Sequence, residues 1–336
     1  MAIAADQKVR WGIIGTGGIA TTFARDLTLL PDAEAVAVGS RAQSTADEFA
    51  DRFDIAHRHP SYETLIEDPD VDAVYVSTPH PMHHAAALLA IRAGKAVLVE
   101  KPFTINAAEA RELVSAARAG GTFLMEAMWT RFLPHVVKVR ELIAQGRLGD
   151  VRSLQADHGQ WFAKNPEHRL FAPQLGGGAL LDLGIYPVSF ASMLFGRPTK
   201  ITAVSDKAFT GVDGQTGILL QYDGGRQAVL FTTLEALTPN RAGISGTEAR
   251  IEIDGTFYAP SRFRVVGRDG SEEWFEFSHE GKGLRHQAAE VGRCLRAGLL
   301  ESEIMPLDET VAIMETLDEI RRQIGLRYPS ENGSAS

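Results

Sequence analysis

The chain has 336 residues, 44% of them hydrophobic and 23% charged, with a formal net charge of −9 and a mean hydropathy of −0.08. That length can carry two cores of ordinary size, and the acidic balance argues against nucleic acid as a partner, which calls for a basic patch or stripe. The N-terminus MAIAADQKVRWGI lacks the apolar core of a signal peptide, no stretch approaches the roughly 18 apolar residues of a membrane span, and the single cysteine, Cys294, leaves no internal disulfide or cysteine metal cluster, so the cytoplasm is the expected compartment.

The first third alternates apolar strands with helices. VRWGIIG reads as a strand, GIATTFARDLTLL as a helix and AEAVAVGS as a strand. STADEFADRF follows as a helix opened by Ser44 or Thr45. DAVYVST, HHAAALLAIRAG and KAVLVE then give strand, helix and strand. NAAEARELVSAARAGG is a helix with Asn106 and Glu109 at capping-box spacing and a terminal glycine, and GTFLMEA is the expected sixth strand. Strands apolar throughout, alternating with helices, predict a parallel sheet covered on both faces.

Beyond Trp129 the texture changes. PHVVKVRELIAQGRLG reads as a helix ending at glycine, and ILLQYDGGRQAVLFTTLEA as a hairpin around Asp223, Gly224 and Gly225. ARIEIDG, SRFRVVG and EEWFEFS alternate apolar and polar residues, as antiparallel strands with one wet face do. AAEVGRCLRAG looks helical, with Cys294 as a half-buried small residue. LDETVAIMETLDEIRRQIG sets Val311, Met314, Leu317, Ile320 and Ile324 on one helical stripe, read as core packing. The expected fold class is α/β, with an N-terminal Rossmann doubly wound parallel sheet and a C-terminal α/β domain with an open, predominantly antiparallel sheet. The expected divisions are residues 1–126, residues 127–328 and a disordered tail, residues 329–336.

WGIIGTGGIATTFA places Gly15, Gly17 and Ala20 in a G-x-G-x-x-A pattern between a strand and a helix. Gly15 makes the tight turn, Gly17 lets backbone approach a pyrophosphate, and Ala20 lets the helix pack on the strand. Gly15, Thr16, Gly17, Gly18 and Ile19 are therefore expected to line a dinucleotide. The second strand ends in Gly39, Ser40 and Arg41, with no carboxylate to repel a 2′-phosphate and with a hydroxyl and a guanidinium to bind one. NADP is expected over NAD.

Ligands of open parallel sheets lie at the carboxyl ends of the strands, where STPHPMHH (residues 77–84) and the EKP of AVLVEKPF fall. GTGGIA, STPHPMHH, VEKPF, EAMWTRF and GGGALLDLGIYP, in this order, resemble the glucose-fructose oxidoreductase/inositol dehydrogenase (Gfo/Idh/MocA) family over roughly residues 8 to 325. MEAMWTRFLP is similar to the branch of dimeric dihydrodiol dehydrogenases and NADP-dependent D-xylose dehydrogenases.

The resemblance implies an NADP-dependent oxidoreductase moving a hydride between the nicotinamide and a secondary alcohol or hemiacetal carbon of a sugar or cyclic diol. Lys101 would lie beside the nicotinamide and hydrogen-bond the reacting oxygen. Tyr186 would donate or accept the proton, and Asp182 precedes it by one helical turn. Gly176, Gly177 and Gly178 suit a close backbone approach to substrate or cofactor. Pro102 makes a fixed turn that aims Lys101 and is a candidate cis position. Glu100 and Lys101 are expected among the cofactor contacts, Thr78 and Pro79 would contact the nicotinamide ribose side, and His83 would cap the next helix or the cofactor edge. Trp129, Arg131 and Phe162 are candidates for an aromatic wall and polar clamp around the substrate, facing the cleft between domains. His80, His83 and His84 lack the ligand set of a zinc site, and no metal is expected. A homodimer or homotetramer is implied. The alternatives are a nucleotide-sugar ketoreductase or inositol dehydrogenase of the same fold, and a non-catalytic dinucleotide-sensing regulator.

Overall fold

A computed structural model describes residues 3, 4 and 7–331. The chain divides into two compact units, Met1–Trp129 with Glu280–Val311, and Thr130–His279 with Ala312–Ser336. The first is built on six parallel strands: β1 (Val9–Ile14), β2 (Ala33–Gly39), β3 (His57–His59), β4 (Ala73–Val76), β5 (Ala96–Glu100) and β6 (Leu124–Ala127). Their order is β3-β2-β1-β4-β5-β6, so the direction of winding reverses between β1 and β4, the point where such sheets bind dinucleotides. Helices α1 (Gly18–Leu27), α2 (Gln43–Phe53), α3 (Tyr62–Ile66), α4 (His83–Arg92) and α5 (Ala107–Gly120) make the crossovers. The fully buried rings of Trp11, Phe23 and Tyr75 pack α1 onto the sheet, Phe23 stacking on Tyr75 with centroids 3.8 Å apart.

The second unit opens with α6 (Pro134–Ala144) and carries eight strands: β7 (Val151–Gly159), β8 (Lys200–Lys207), β9 (Asp213–Gln221), β10 (Gln227–Thr233), β11 (Ala242–Gly246), β12 (Ala249–Ile253), β13 (Phe263–Gly267) and β14 (Glu272–Phe275). In the order β14-β13-β12-β11-β7-β10-β9-β8 every pairing is antiparallel except β7 with β10. α7 (Ile185–Phe195) lies against the buried faces of β7 and β10. The segment Pro173–Phe195 does reach membrane-spanning length and apolarity, contrary to the sequence expectation, but 78% of its most apolar window is buried within the protein, as in the core helix of a globular unit. α8 (Arg285–Arg296) belongs to the first unit, and α9 (Leu307–Ile324) begins in the first and continues into the second. Met314, Leu317 and Ile320 of α9 are fully buried, so its stripe is core.

Several local expectations are corrected. Ser44 and Thr45 do not cap α2, which starts one residue earlier with Ala42 at the N-cap; Thr45 instead donates from its hydroxyl to the Ala42 carbonyl. At α5 the Asn106 side chain accepts from Glu109 N–H, but Glu109 returns its bond to Ile105 N–H rather than to Asn106. The third strand, HRH, has no apolar signature because it is a three-residue edge strand. The segment Glu280–Val311, placed by composition in the second domain, joins the first unit instead. Buried Asp26 on α1 accepts from the backbone N–H groups of Lys282 and Leu284, at 2.9 and 2.7 Å, and so draws α8 onto the sheet. Of the expected tail, Pro329–Glu331 forms a turn held by two Arg321–Glu331 hydrogen bonds; residues 332–336 lie outside the described residues.

Candidate active site

The first unit gathers its candidate residues at the tips of β1, β4 and β5. Their register sets Ile14 beside Val76 and Val76 beside Val99, so the residues that follow emerge side by side. After β1 the chain turns at Gly15, whose φ of +98° suits glycine and where an added Cβ would lie 3.0 Å from the Ser77 carbonyl oxygen. Gly15 N–H donates to Gly39 O, and Ser77 N–H to Ile14 O, stitching the loop to its neighbours. Gly17 is the N-cap of α1, and Ala20 beneath it is fully buried. Thr16 is half-buried, while Gly17, Gly18 and Ile19 are exposed. A Cβ added at Gly17 or Gly18 would meet nothing within 4 Å, which leaves a bare, positively polarised helix end.

Beyond β4, Thr78 is 7% exposed and its hydroxyl has no hydrogen-bond partner among the described residues. A buried, unpartnered hydroxyl at a strand tip and a glycine-walled helix end fit a dinucleotide: Gly15 to Ile19 would hold the pyrophosphate and Thr78 a ribose or amide group. Pro79 is exposed beside it. Ser40, at the end of β2, bonds its hydroxyl to that of Thr45, and Arg41 is exposed with no hydrogen bond or ion pair among the described residues, free to meet a phosphate.

After β5, Glu100 is buried; one carboxylate oxygen accepts from the Tyr75 hydroxyl and the other from Lys101 N–H at 3.1 Å. Glu100 thus orients the lysine's backbone. The Lys101–Pro102 bond is cis, and Lys101 is half-buried. His83 does not cap α4, whose N-cap is Met82. Its ring is fully buried, with Nδ1 2.9 Å from Pro102 O and Nε2 2.8 Å from Thr78 O, so it ties the two tip loops together. Burial, helped by the Lys101 charge, pushes its pKa down, and as a neutral ring it donates to one of the two carbonyls. His80, His83 and His84 do not converge: His84 bonds Glu112 at 3.0 Å, while the His80 and His83 rings are 5.7 Å apart.

The second unit carries the other candidate catalytic residues. Asp182 sits on a π-helical turn (Leu180–Gly184) that runs directly into α7, where Tyr186 follows four residues later. Wide turns of this type recur at functional sites. Asp182 is 4% exposed and receives both guanidinium arms of Arg169, at 2.8 and 3.2 Å. Tyr186, 7% exposed, meets the ring of His158 at 5.2 Å and that of Tyr258 at 4.9 Å, and His158 stacks on Tyr258 at 3.8 Å. His158 Nδ1 lies 3.2 Å from Leu183 O, while Gln160 bridges His158 Nε2 and the Tyr258 hydroxyl.

Three expectations in this unit fail. The glycine run serves packing within the protein: a Cβ at Gly177 would lie 2.7 Å from Leu170 O, and one at Gly178 (φ +120°) 2.0 Å from Asp213 Oδ1. Arg131 is buried and donates to the Ser189 side chain and carbonyl, so it braces α7 rather than clamping a substrate. Phe162 packs against the cluster of Leu170, Phe171, Ala179, Leu183, Ala208, Val212 and Leu234. Trp129, in the first unit, is 9% exposed in a short 3-10 turn. Asp213, unremarked in the sequence, accepts from Leu180 N–H (2.7 Å) and Thr216 Oγ1 (3.2 Å) beneath the helix start, and burial pushes its pKa up to about 7. Arg169 and the His158–Tyr258 pair also escaped the sequence, since neither lies at a motif spacing from Tyr186.

Comparisons with known proteins place the chain in a family. Residues 9–128 match the oxidoreductase family with an NAD-binding Rossmann fold, and residues 136–271 the GFO/IDH/MocA C-terminal domain. Trans-1,2-dihydrobenzene-1,2-diol dehydrogenase from Bos taurus is 42% identical over 97% of this chain and 99% of its own; the Homo sapiens enzyme is 40% identical over the same shares. Among solved structures, aldose-aldose oxidoreductase from Caulobacter crescentus, complexed with glycerol, is 27% identical with a TM-score of 0.86, over 94% of this chain and 97% of that one. A 3-ketoreductase from Actinomadura kijaniata, in complex with NADP and TDP-benzene, is 27% identical with a TM-score of 0.83, over 95% and 98%. The glycine turn after β1, the lysine at the tip of β5 and the Asp182–Tyr186 helix thus belong to a member of the Gfo/Idh/MocA family of NAD(P)-dependent oxidoreductases.

Proposed function

We propose that this protein is an NADP-dependent dehydrogenase that oxidises a secondary alcohol of a cyclic diol, or the hemiacetal carbon of a sugar, and reduces the corresponding carbonyl in reverse. The observation that carries the reading is the set of strand tips in the first unit. An open glycine turn, an unpartnered buried hydroxyl (Thr78) and Lys101 emerge there from adjacent strands. Full-length likeness to dihydrodiol dehydrogenases supports the substrate class.

An oxidised nicotinamide dinucleotide held by Gly15 to Ile19 and Thr78 would supply the hydride acceptor for the substrate carbon. This chain's residues handle the proton and the charge. Lys101, its backbone fixed by Glu100, donates to the reacting oxygen and stabilises the alkoxide character that grows as the C–H bond breaks. Tyr186 takes the hydroxyl proton in oxidation and returns it in reduction. Its phenol sits against the His158–Tyr258 stack, and Asp182, held by Arg169, fixes the helix turn below it. Arg41 and Ser40 favour NADP by binding the 2′-phosphate.

The open face of the eight-stranded sheet supports a homo-oligomer. Val204, Val229 and Phe231 are 71%, 52% and 37% exposed there, and the register sets Val204 and Phe231 on either side of Gly217. Phe231→Glu is expected to lower the mass seen by light scattering to that of one chain. The catalytic reading is tested by following nicotinamide absorbance with NADP or NAD against trans-dihydrodiols, xylose, glucose and inositols. NADP-linked oxidation of a diol or aldose is expected; strict NAD dependence, or turnover of inositols alone, contradicts it.

A further inference from the structure

Away from those strand tips, at the outer edge of the same sheet, three metal-binding side chains converge. His57 and His59 are alternate residues of β3, so their side chains leave one face of the edge strand. Asp68, in the turn after α3, points its Oδ2 at both rings. That oxygen is 2.6 Å from His57 Nδ1 and 3.0 Å from His59 Nε2, and all three atoms lie within 4.8 Å of one another.

We infer that His57, His59 and Asp68 form a binding site for a divalent transition-metal ion, with zinc as the best-matched ion. Tetrahedral zinc with bonds of about 2.0–2.2 Å keeps its ligand atoms roughly 3.4 Å apart. The two separations from Asp68 Oδ2, 2.6 and 3.0 Å, need an opening of under about 1 Å to match that spacing, and the ring nitrogens lie within 4.8 Å of each other. Two imidazole nitrogens and one carboxylate suit zinc, cobalt, nickel or copper rather than calcium or magnesium, which want oxygen ligands.

The surroundings support the assignment. Asp68 Oδ1 accepts from Asp70 N–H at 2.9 Å, which fixes the carboxylate and leaves Oδ2 for the ion, as outer-shell bonds do in metal sites. The side chains of His57, His59 and Asp68 are 38%, 18% and 5% exposed, so the site has an anchored base and an open side where water completes the coordination. In the metal-free state each ring donates an N–H to Oδ2. On loading, the proton shifts to the opposite ring nitrogen, His57 Nε2 or His59 Nδ1, and neither of these has a hydrogen-bond partner among the described residues. Lys95 Nζ, bonded to the Asp68 and Val71 carbonyls, is a nearby charge that opposes an incoming cation, and Arg10, ion-paired with Asp70 and Asp72, adds to it. The bound ion would pin the edge strand to the turn before β4, and His59 O accepts from Ser40 N–H at the end of β2.

The test is calorimetric titration of zinc chloride into the full chain after chelator treatment, in a buffer that does not bind metal. The expected result is one zinc per chain, with cobalt giving the visible absorption of a tetrahedral site. His57→Gln and His59→Gln should each weaken zinc by more than about tenfold, whereas His84→Gln should leave it unchanged. The His57 side chain is partly exposed, so His57→Gln keeps the test meaningful if Asp68→Asn fails to fold. No saturable zinc binding by the parent protein, or unchanged binding in the His57→Gln/His59→Gln double variant, overturns the assignment.

Discussion

Replacing Asp213 by asparagine isolates the charge beneath the helix that carries Asp182 and Tyr186. Asp213 is 3% exposed, and burial lifts its pKa from an ordinary 3.8 to about 7. A carboxyl that binds its proton more tightly folded than unfolded stabilises the fold fully below pH 3.8, and that contribution is gone once the pH passes 7. Each pH unit between those limits is worth about 1.4 kcal/mol. Going from pH 5 to pH 8 spans about two of them, a loss of roughly 3 kcal/mol from this one group. Asparagine keeps a carbonyl oxygen for Leu180 N–H and Thr216 Oγ1 but has no proton to lose. Urea denaturation of both proteins at pH 5 and pH 8 measures the difference, since the remaining groups are common to both. The parent should lose roughly 3 kcal/mol more than Asp213→Asn between the two pH values. Parallel pH dependence in the two proteins would refute the reasoning.

Arg169→Ala removes two charged hydrogen bonds from Asp182 and should lower turnover by roughly 10- to 100-fold, with Arg169→Lys recovering part of it; steady-state kinetics beside a thermal melt separates this from unfolding. Arg41→Ala should weaken NADP by about tenfold or more while leaving NAD affinity unchanged, as read by cofactor titration. Burial, with Glu290 alongside, pushes the Cys294 thiol up to about 12, so iodoacetamide at neutral pH should label it only in denaturant.

The nucleotide-binding half was legible because its signals are local. Gly15 needs its positive φ whatever surrounds it, the β4 and β5 strands are apolar end to end, and the tips of adjacent parallel strands must emerge together. The edge strand β3 was not legible, because HRH buries too little to leave a hydropathy trace. Nor was the return of α8, which depends on Asp26 meeting two backbone amides more than 250 residues away. In the second unit, the Asp182–Tyr186 spacing follows from helix geometry. The roles of Arg131, Phe162 and the glycine run depend on what lies opposite them. Arg131 finds Ser189, and Gly177 and Gly178 face Leu170 and Asp213. A glycine marks a close approach without naming what approaches. His57 and His59 were likewise unremarkable until the fold brought Asp68 onto their face.

In the proposed mechanism Lys101 acts on the reacting oxygen rather than holding the cofactor. Lys101→Met tests it most directly, with NADPH affinity measured by fluorescence titration and turnover measured on the best diol or aldose substrate. The expected result is near-parental NADPH affinity with turnover reduced by roughly 100- to 10,000-fold. Turnover within a few-fold of the parent, or a loss explained wholly by weaker NADPH binding, would contradict it.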